Sequence, residues 1–505
     1  MAHVSNASFT GDNGSVIATA QTQPAITIET MADNARVADA SADDAKGGNM
    51  DMFWQLIKSF ESADMPYCIL AGYDQYPQHI ASDIDFMIPE SWSDRLPAII
   101  AGVAAATGAQ LIQALTHETT ATYYVLARLR GASIAYLHPD SSSDYRRSGR
   151  LWLHAETMLE NRRRHPSGFW VPSAADAFVY YLIKKIDKGQ LNASQAAELT
   201  ARYAEDPQAC TERLFELLPE DEAGLIHNAV VRPSAFDGRV WTQVQRNLPN
   251  LRQAMHMYSD ALPWHSNLRQ HLRDLRRVLR RCLQPTGLRI VFLGPDGSGK
   301  SSVINQVSQQ MAQAFRRVEY RHLRPGKLPQ GAHGQIVVDP HGAAVRGKAG
   351  SVAKLLHFWA SYVAGSVLWT YPHYLRSTLI IFDRYYQDLL ADPVRYRYAA
   401  PLKLARLLGR LLPQPDMVFI LDAPPEVLQA RKQEVPFAES QRQRAAYLAL
   451  AREFRHASII DSSQPLDQVV NDILSRITAF LESRTAQRLG LADDAAVSLC
   501  KSSSC

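Results

Sequence analysis

Short apolar runs alternate with longer amphipathic segments through the second half of the chain. Four of these runs have the length and composition of buried strands, and they occupy residues 290–293, 379–382, 417–421 and 458–461. Between them, apolar residues recur at helical spacing. Strands that alternate with helices predict an α/β domain with a parallel sheet flanked by helices, and we place this domain at residues 287–485.

The first half of the chain has a mixed pattern, which predicts an α+β domain at residues 49–235. A helical period at its start is followed by a buried strand at residues 67–71 and by an alternating polar and apolar strand at residues 82–88. We expect residues 144–188 to be helical. Helical spacing then continues to about Leu248.

Three segments lie outside these two domains. Residues 1–48 are rich in small and polar residues without a period, which predicts a disordered leader, and residues 486–505 predict a similar tail. Residues 236–286 are expected to form a helical basic linker, in which residues 267–284 carry six arginines, one aspartate and leucines at helical spacing. This helix either connects the domains by packing on one of them or makes a peripheral contact with an anionic membrane surface.

The first strand of the α/β domain leads into a glycine-rich loop. Residues 294–301 read GPDGSGKS, and apolar residues at helical spacing follow them. Glycines let the backbone turn its N–H groups towards phosphate oxygens, Lys300 can place a cation on the β- and γ-phosphates, and the Ser301 hydroxyl can ligate Mg²⁺. The loop therefore predicts a site for ATP with Mg²⁺. We expect it to be formed by Gly294, Asp296, Gly297, Ser298, Gly299, Lys300, Ser301 and Ser302.

A second pair of charged residues follows the buried run at residues 379–382. Asp383 and Arg384 stand just past this strand, where parallel sheets bind their ligands. Asp383 can hold Mg²⁺ through water, and Arg384 can bind an acceptor phosphate with two parallel hydrogen bonds. We therefore predict catalytic roles for Lys300, Asp383 and Arg384.

Residues 287–485 resemble the thymidylate kinase family. Its motifs are matched by GPDGSGKS at residues 294–301, DRY at residues 383–385 and PDMVFILDAPPE at residues 415–426. The resemblance implies transfer of the γ-phosphate of ATP, with Mg²⁺, to a small phosphorylated acceptor such as a nucleoside monophosphate. It also implies that Asp296 contacts the acceptor sugar.

The same resemblance implies an arginine-bearing lid at residues 431–444. Arg431 has the position that best fits the catalytic arginine, with Arg442 and Arg444 as the other candidates. The family's acceptor-binding motif has only a distant counterpart at residues 323–326, and its thymine-contacting motif is absent. The acceptor therefore stays open between a nucleoside monophosphate, such as dTMP, and a non-nucleotide compound linked to surface polysaccharide assembly. A non-catalytic nucleotide-binding regulatory protein is a further alternative.

The N-terminal domain carries two aspartates in one predicted strand. Asp83 and Asp85 are two residues apart, which places both carboxylates on one face, as a site for a divalent metal requires. A turn at Gly72 followed by this pair resembles the nucleotidyltransferase fold, and the resemblance implies that both aspartates bind metal. The third carboxylate of that family has no counterpart within the next predicted strand, and Asp140 is expected beyond it. The domain is then nucleotidyltransferase-like with lost, altered or intact catalysis, or the pair is structural.

Composition limits the partners and the cellular compartment that we expect for the protein. The chain has 505 residues and a formal net charge of +4, which predicts no specific nucleic-acid partner. Its five cysteines are scattered without a C-x-x-C pair, which indicates a reducing compartment, so we expect a cytoplasmic protein. The uncharged stretch at residues 355–375 contains a proline and two histidines and is expected to be a buried helix. A homodimer is left open.

Overall fold

The computed structural model describes residues 42–76, 83–118, 120–231, 238–261, 264–325, 347–433 and 435–491. The predicted leader lies outside the described residues up to position 41, and the predicted tail lies outside them from position 492 onwards.

A mixed five-stranded sheet forms the centre of the N-terminal domain. Its strands are β1 (Cys68–Ile69), β2 (Asp83–Met87), β3 (Gln110–Glu118), β4 (Ala121–Arg130) and β5 (Ser133–Ser142). They are ordered β1-β2-β5-β4-β3, with β2 and β5 parallel and the other neighbouring pairs antiparallel. Helices α1 (Ala42–Ser62) and α2 (Leu96–Ala106) bury Phe53, Phe60 and Ile100 against one face of the sheet.

A helical layer completes this domain. Its helices are α3 (Ala155–Glu160), α4 (Ala174–Lys188), α5 (Ala193–Glu205), α6 (Pro207–Leu217), α7 (Glu220–Val231) and α8 (Gly238–Tyr258). The domain also contains five short strands, namely β6 (Tyr145–Arg147), β7 (Arg150–Leu153), β8 (Arg163–Arg164), β9 (Trp170–Val171) and β10 (Asp260–Ala261). The expectation that residues 144–188 are wholly helical was wrong, because four of these strands lie within that range.

Helix α8 belongs to the N-terminal domain rather than to a linker. Its Trp241, Val244 and Leu251 pack in the same core as α4 to α7, and β10 pairs with β7. The predicted linker at residues 236–286 is thereby reduced to one helix, α9 (Trp264–Leu283).

The C-terminal domain is built on a parallel five-stranded sheet flanked by helices, as predicted. Its strands are β11 (Leu288–Leu293), β12 (Arg317–His322), β13 (Thr378–Asp383), β14 (Met417–Asp422) and β15 (Ala457–Asp461). Their order is β12-β13-β11-β14-β15, and every neighbouring pair is parallel. The chain leaves β11 towards one edge and β14 towards the other, so the crevice between these two strands is where a ligand is expected to bind.

Helices cover both faces of this sheet. They are α10 (Lys300–Met311), α11 (Lys348–Gly365), α12 (Tyr371–Leu375), α13 (Asp388–Ala391), α14 (Leu402–Arg410), α15 (Pro425–Arg431), α16 (Phe437–Leu450) and α17 (Leu466–Leu489). A π-helical turn at Ser366–Thr370 joins α11 to α12. In the described parts of the chain, no helix combines the length and apolarity needed to cross a membrane.

The two domains share a hydrophobic core. Val125 and Tyr136 of the N-terminal sheet pack with Val307 of α10 and Ile473 of α17, on the sheet face opposite α1 and α2. The Tyr136 hydroxyl donates a 2.8 Å hydrogen bond to the carbonyl oxygen of Gln310 near the end of α10. The helix that follows the glycine-rich loop is therefore fixed against the N-terminal domain.

Two predicted domain boundaries differ from the ends of the helices in the structure. Helix α1 begins at Ala42, so the last part of the predicted leader is helical. Helix α17 continues to Leu489, past the predicted domain end at residue 485, and Leu489 packs on the N-terminal core.

Candidate active site

The glycine-rich loop joins β11 to α10 in a conformation that requires glycine. Gly294 has a φ of 146° and Gly297 a φ of 85°. A Cβ on Gly294 would lie 2.6 Å from the carbonyl oxygen of Leu421, and one on Gly297 would lie 2.7 Å from that of Leu428. A side chain at either position would strain the loop or displace its neighbours. The loop therefore sets the N terminus of α10, which begins at Lys300, at the carboxyl edge of the sheet.

Lys300 is buried inside the curve of this loop. Its Nζ donates hydrogen bonds of 2.8 Å to the carbonyl oxygens of Gly294 and of Pro295. Burial and the neighbouring Arg384 lower the pKa of Lys300 to about 8, against the opposing effect of Asp296. A phosphate anion beside Lys300 would favour its charged form, because an opposite charge offsets the cost of desolvation.

Asp383 ends β13 beside the loop. Tyr320 on β12 donates a 2.9 Å hydrogen bond to Oδ2 of Asp383, whereas Oδ1 is buried with no hydrogen-bond partner among the described residues. The hydroxyl of Ser298 is also buried and has no partner within the same part of the chain. A buried carboxylate oxygen without a donor fits a water molecule held by Mg²⁺. Asp383 therefore fits the predicted role of a Mg²⁺ ligand. The other predicted ligand, Ser301, is exposed in the first turn of α10 and is open to a metal ion.

Arg384 ties the end of β13 to the glycine-rich loop. It adopts a φ of 72°, and its backbone N–H donates a 3.0 Å hydrogen bond to the carbonyl oxygen of Phe292. Its Nη2 lies 2.5 Å from Asp296 Oδ1, and its Nη1 lies 3.4 Å from Asp388 Oδ2. Arg395 reaches the same loop acid, with 2.9 Å between its Nη1 and Asp296 Oδ2. Asp296 is thus held by two arginines from the segment after β13.

The arginines predicted for the lid have other partners. Arg431 is exposed and donates a 2.8 Å hydrogen bond to the carbonyl oxygen of Ser462. Arg444 holds Asp422 with two hydrogen bonds of 2.7 and 2.8 Å, and Arg442 pairs with a glutamate one turn earlier. The structure does not bring Arg431 into the group around the loop, so its catalytic role stays a prediction.

A small cavity of about 100 Å³ is connected to the charged cluster around Arg384 through its wall residue Tyr396. Its walls include Arg324, Lys354 and Phe358, and Arg324 lies over the Phe358 ring at 5.2 Å from the centroid. Tyr396 also lines the cavity, and its hydroxyl donates a 2.8 Å hydrogen bond to Asp388 Oδ2, which pairs with Arg384. The cavity therefore combines cations and an aromatic face next to the charged cluster. One residue of the predicted acceptor motif, Gly326, lies outside the described residues.

Asp388 and Arg395 are the charged residues of this cluster that the sequence did not single out. Asp388 is fully buried and also accepts a 2.6 Å hydrogen bond from the Tyr447 hydroxyl. Its spacing of four residues from Arg384 gave no helical signal, because Arg384 has a φ of 72° and α13 begins only at Asp388. No local signal identifies Arg395 either, since its partner Asp296 is distant in sequence.

The aspartates of the N-terminal domain have basic partners. Asp83 Oδ1 lies 3.1 Å from His138 Nδ1 and accepts a 3.2 Å hydrogen bond from the Tyr123 hydroxyl. The hydrogen bond from His138 lowers the pKa of Asp83, with burial opposing it. Asp85 Oδ2 lies 3.2 Å from Lys184 Nζ. Asp85 therefore has a cationic partner, and Asp83 has a histidine and a tyrosine as its neighbours.

Asp140 stands directly opposite Asp85 on the neighbouring parallel strand. The expectation that Asp140 lies beyond the strand was wrong, since β5 extends to Ser142. Among the residues that the structure describes, no group of three or more His, Cys, Asp or Glu side chains is placed to hold a metal ion. Metal binding by Asp83 and Asp85 therefore stays a prediction.

The parallel sheet, the glycine-rich loop before α10 and the charged cluster after β13 form the architecture expected of a P-loop kinase domain. Residues 292–473 match the family described as thymidylate kinase, which leaves the N-terminal domain outside the match. The chain is 29% identical over 215 residues to the thymidylate kinase of Xanthomonas campestris pv. campestris (strain B100), covering 40% of this chain and 88% of that protein. It is 27% identical over 198 residues to the probable thymidylate kinase of Pyrobaculum aerophilum, covering 37% of this chain and 95% of that protein. The C-terminal domain is thus a kinase domain of the nucleoside monophosphate kinase type.

Proposed function

We propose that the protein transfers the γ-phosphate of ATP to a nucleoside monophosphate. The observation that carries this proposal is the meeting of Lys300, Asp383 and Arg384 at one edge of the parallel sheet, around the glycine-rich loop. The similarity to thymidylate kinases supports a nucleotide acceptor, with dTMP as the first candidate.

The chain's own groups then act by binding and orientation. Backbone N–H groups at the start of α10 and the Lys300 ammonium bind the β- and γ-phosphates. Arg384 holds the acceptor phosphate in line with the γ-phosphate, and the acceptor phosphate oxygen is itself the nucleophile, so no strong general base is required. Ser301 and Asp383 would hold Mg²⁺, which supplies charge neutralisation when bound.

The cavity that Tyr396 lines is a candidate place for recognition of the acceptor. Arg324 and Lys354 offer cations at its wall. Two cations at one wall match an acceptor that carries a phosphate.

The test is an ADP-release screen with the purified full chain over nucleoside monophosphates and sugar phosphates. We expect ADP release above background with a nucleoside monophosphate, and a loss of at least ~100-fold in Lys300→Ala, in line with the removal of one charge-stabilising donor. Lys58→Ala, which changes an exposed lysine of α1, is the matched control. Unchanged turnover in Lys300→Ala would exclude this mechanism, and turnover confined to sugar phosphates would exclude the nucleotide acceptor.

A second candidate function concerns the N-terminal domain. We propose that it is a nucleotidyltransferase-like domain whose catalysis is lost or altered, and the alignment of Asp140 with Asp85 in neighbouring strands supports this proposal. Lys184 beside Asp85 supports this loss or alteration, because a cation at a carboxylate competes with a metal. The full chain should not transfer label from an α-labelled nucleoside triphosphate to a product, either as wild type or as Asp83→Ala. Transfer by the wild type that vanishes in Asp83→Ala would show intact catalysis.

A further inference from the structure

Helix α9 exposes a row of large apolar side chains. Among the described side chains of α9, five apolar ones are each more than half exposed, and they recur at helical spacing. They are Leu272, Leu275, Val278, Leu279 and Leu283. Soluble domains rarely leave so many leucines uncovered on one helix, and a contiguous patch of this kind marks a binding surface.

The apolar row continues onto a second segment. The Tyr371 hydroxyl donates a 3.0 Å hydrogen bond to the carbonyl oxygen of Cys282, which places the start of α12 against the last turn of α9. Val367 and Leu368, one turn before Tyr371, are 56% and 61% exposed. We call these residues and the apolar row of α9 together the α9 surface.

Arginines flank this surface and line a cleft of about 350 Å³ between α9, β3 and the end of α17. Among them, Arg276, Arg280, Arg281 and Arg488 form no ion pair with any acid of the described residues. Burial, Arg277 and Arg316 lower the pKa of Arg281, and burial together with Arg484 lowers that of Arg488 to about 10. A cluster of cations that repel one another in this way is stabilised by a multiply charged anion.

We propose that the α9 surface docks on a membrane containing anionic phospholipid, with its apolar row in the interface and the cleft arginines on headgroup phosphates. The adjacent rows of leucine and arginine on one helix match the two layers that such a membrane presents. The proposal does not depend on the kinase activity.

The experiment is co-sedimentation of the full chain, without nucleotide, with vesicles of phosphatidylcholine alone or mixed with an equal amount of phosphatidylglycerol. Each arginine near an anionic surface contributes enough that Arg276→Gln with Arg280→Gln should weaken binding to the mixed vesicles roughly thirtyfold. Leu275→Ser with Leu279→Ser should weaken it by at least as much, since both leucines leave the interface.

Each double variant has a matched control. Phe215→Ser with Val231→Ser removes two exposed apolar side chains from α6 and α7, and Arg246→Gln with Arg455→Gln removes two exposed cations. Both controls should bind as the wild type does, and circular dichroism checks that every variant is folded.

Three results would overturn the proposal. One is equal binding to both kinds of vesicle or no binding to either. Another is a rise in the melting temperature with inorganic triphosphate that the arginine variants abolish, together with no binding to vesicles. This result would show that the cleft binds a soluble anion. The third is a dimer in solution that Leu275→Ser with Leu279→Ser dissociates, again without vesicle binding.

Discussion

Arg384 Nη2 lies 2.5 Å from Asp296 Oδ1, so the residue after β13 holds the loop after β11. Arg384 is buried, and Asp296 is the carboxylate nearest to its guanidinium. Removing this acid leaves a buried cation with only the longer contact to Asp388, which costs more than the hydrogen bond alone.

We therefore expect Asp296→Ala to lower the free energy of unfolding by about 2 kcal/mol or more. Asp472→Ala is the matched control, because Asp472 pairs with Arg476 on the exposed side of α17, and such pairs contribute about 0.3–0.5 kcal/mol. Urea unfolding followed by tyrosine and tryptophan fluorescence measures both variants. Equal losses in the two would show that the pair with Arg384 is no stronger than a surface pair.

Gly294→Ala should destabilise the protein by about 1–3 kcal/mol and abolish nucleotide binding. The new Cβ would meet the carbonyl oxygen of Leu421 at 2.6 Å, on a backbone with a φ of 146°. Gly102→Ala is the control, since a Cβ at Gly102 in α2 meets nothing within 4 Å. In a helix this change should stabilise by about 0.5–1 kcal/mol. A stable Gly294→Ala that still binds ATP would refute the role given to this glycine.

The strands of the C-terminal sheet with continuous apolar runs were predictable from the sequence. Strand β12 was not, because it reads RVEYRH and its residues are only partly buried at the edge of the sheet. An edge strand with polar residues on both faces lacks the signal that identifies buried strands. The short strands β6 to β9 escaped detection for a similar reason, as two to four residues carry too little periodicity.

The residues of the candidate site also differ in whether local sequence predicts them. Local motifs identified Lys300, Asp383 and Arg384, because each lies within a few residues of a strand end. The contact of Arg395 with Asp296 and the proximity of Tyr320 to Asp383 depend on how the strands are ordered, which local spacing does not encode. The packing of Tyr136 on α10 likewise depends on the docking of two domains.

Lys300 predicts a pH dependence of stability. Its pKa is about 8 in the folded chain, below its usual value of 10.5, because burial penalises the ammonium. Below pH 8 the folded chain keeps the proton on Lys300, so the cost of burying the ammonium lowers its stability. As the pH rises from about 8 towards 10.5, the folded chain loses this proton while the unfolded chain keeps it, so the free energy of unfolding gains a favourable contribution.

Lys300→Met lacks this ionisation and provides the comparison. Its stability relative to the wild type should fall as the pH is raised through this window, as measured by urea midpoints in the absence of nucleotide. A difference between the two proteins that stays constant from pH 7 to pH 10 would show that the pKa of Lys300 is not lowered.

Tyr136→Phe should destabilise the full chain by about 1–2 kcal/mol, because the carbonyl oxygen of Gln310 then loses its donor near the end of α10. Tyr136 also lies in the core that both domains share, so the loss should lower the unfolding midpoints of the two domains together. Tyr258→Phe, at an exposed position, should leave both midpoints unchanged. Hydrogen exchange that increases in both α10 and β5 would support this coupling, whereas an increase confined to β5 would show that the domains are stabilised separately.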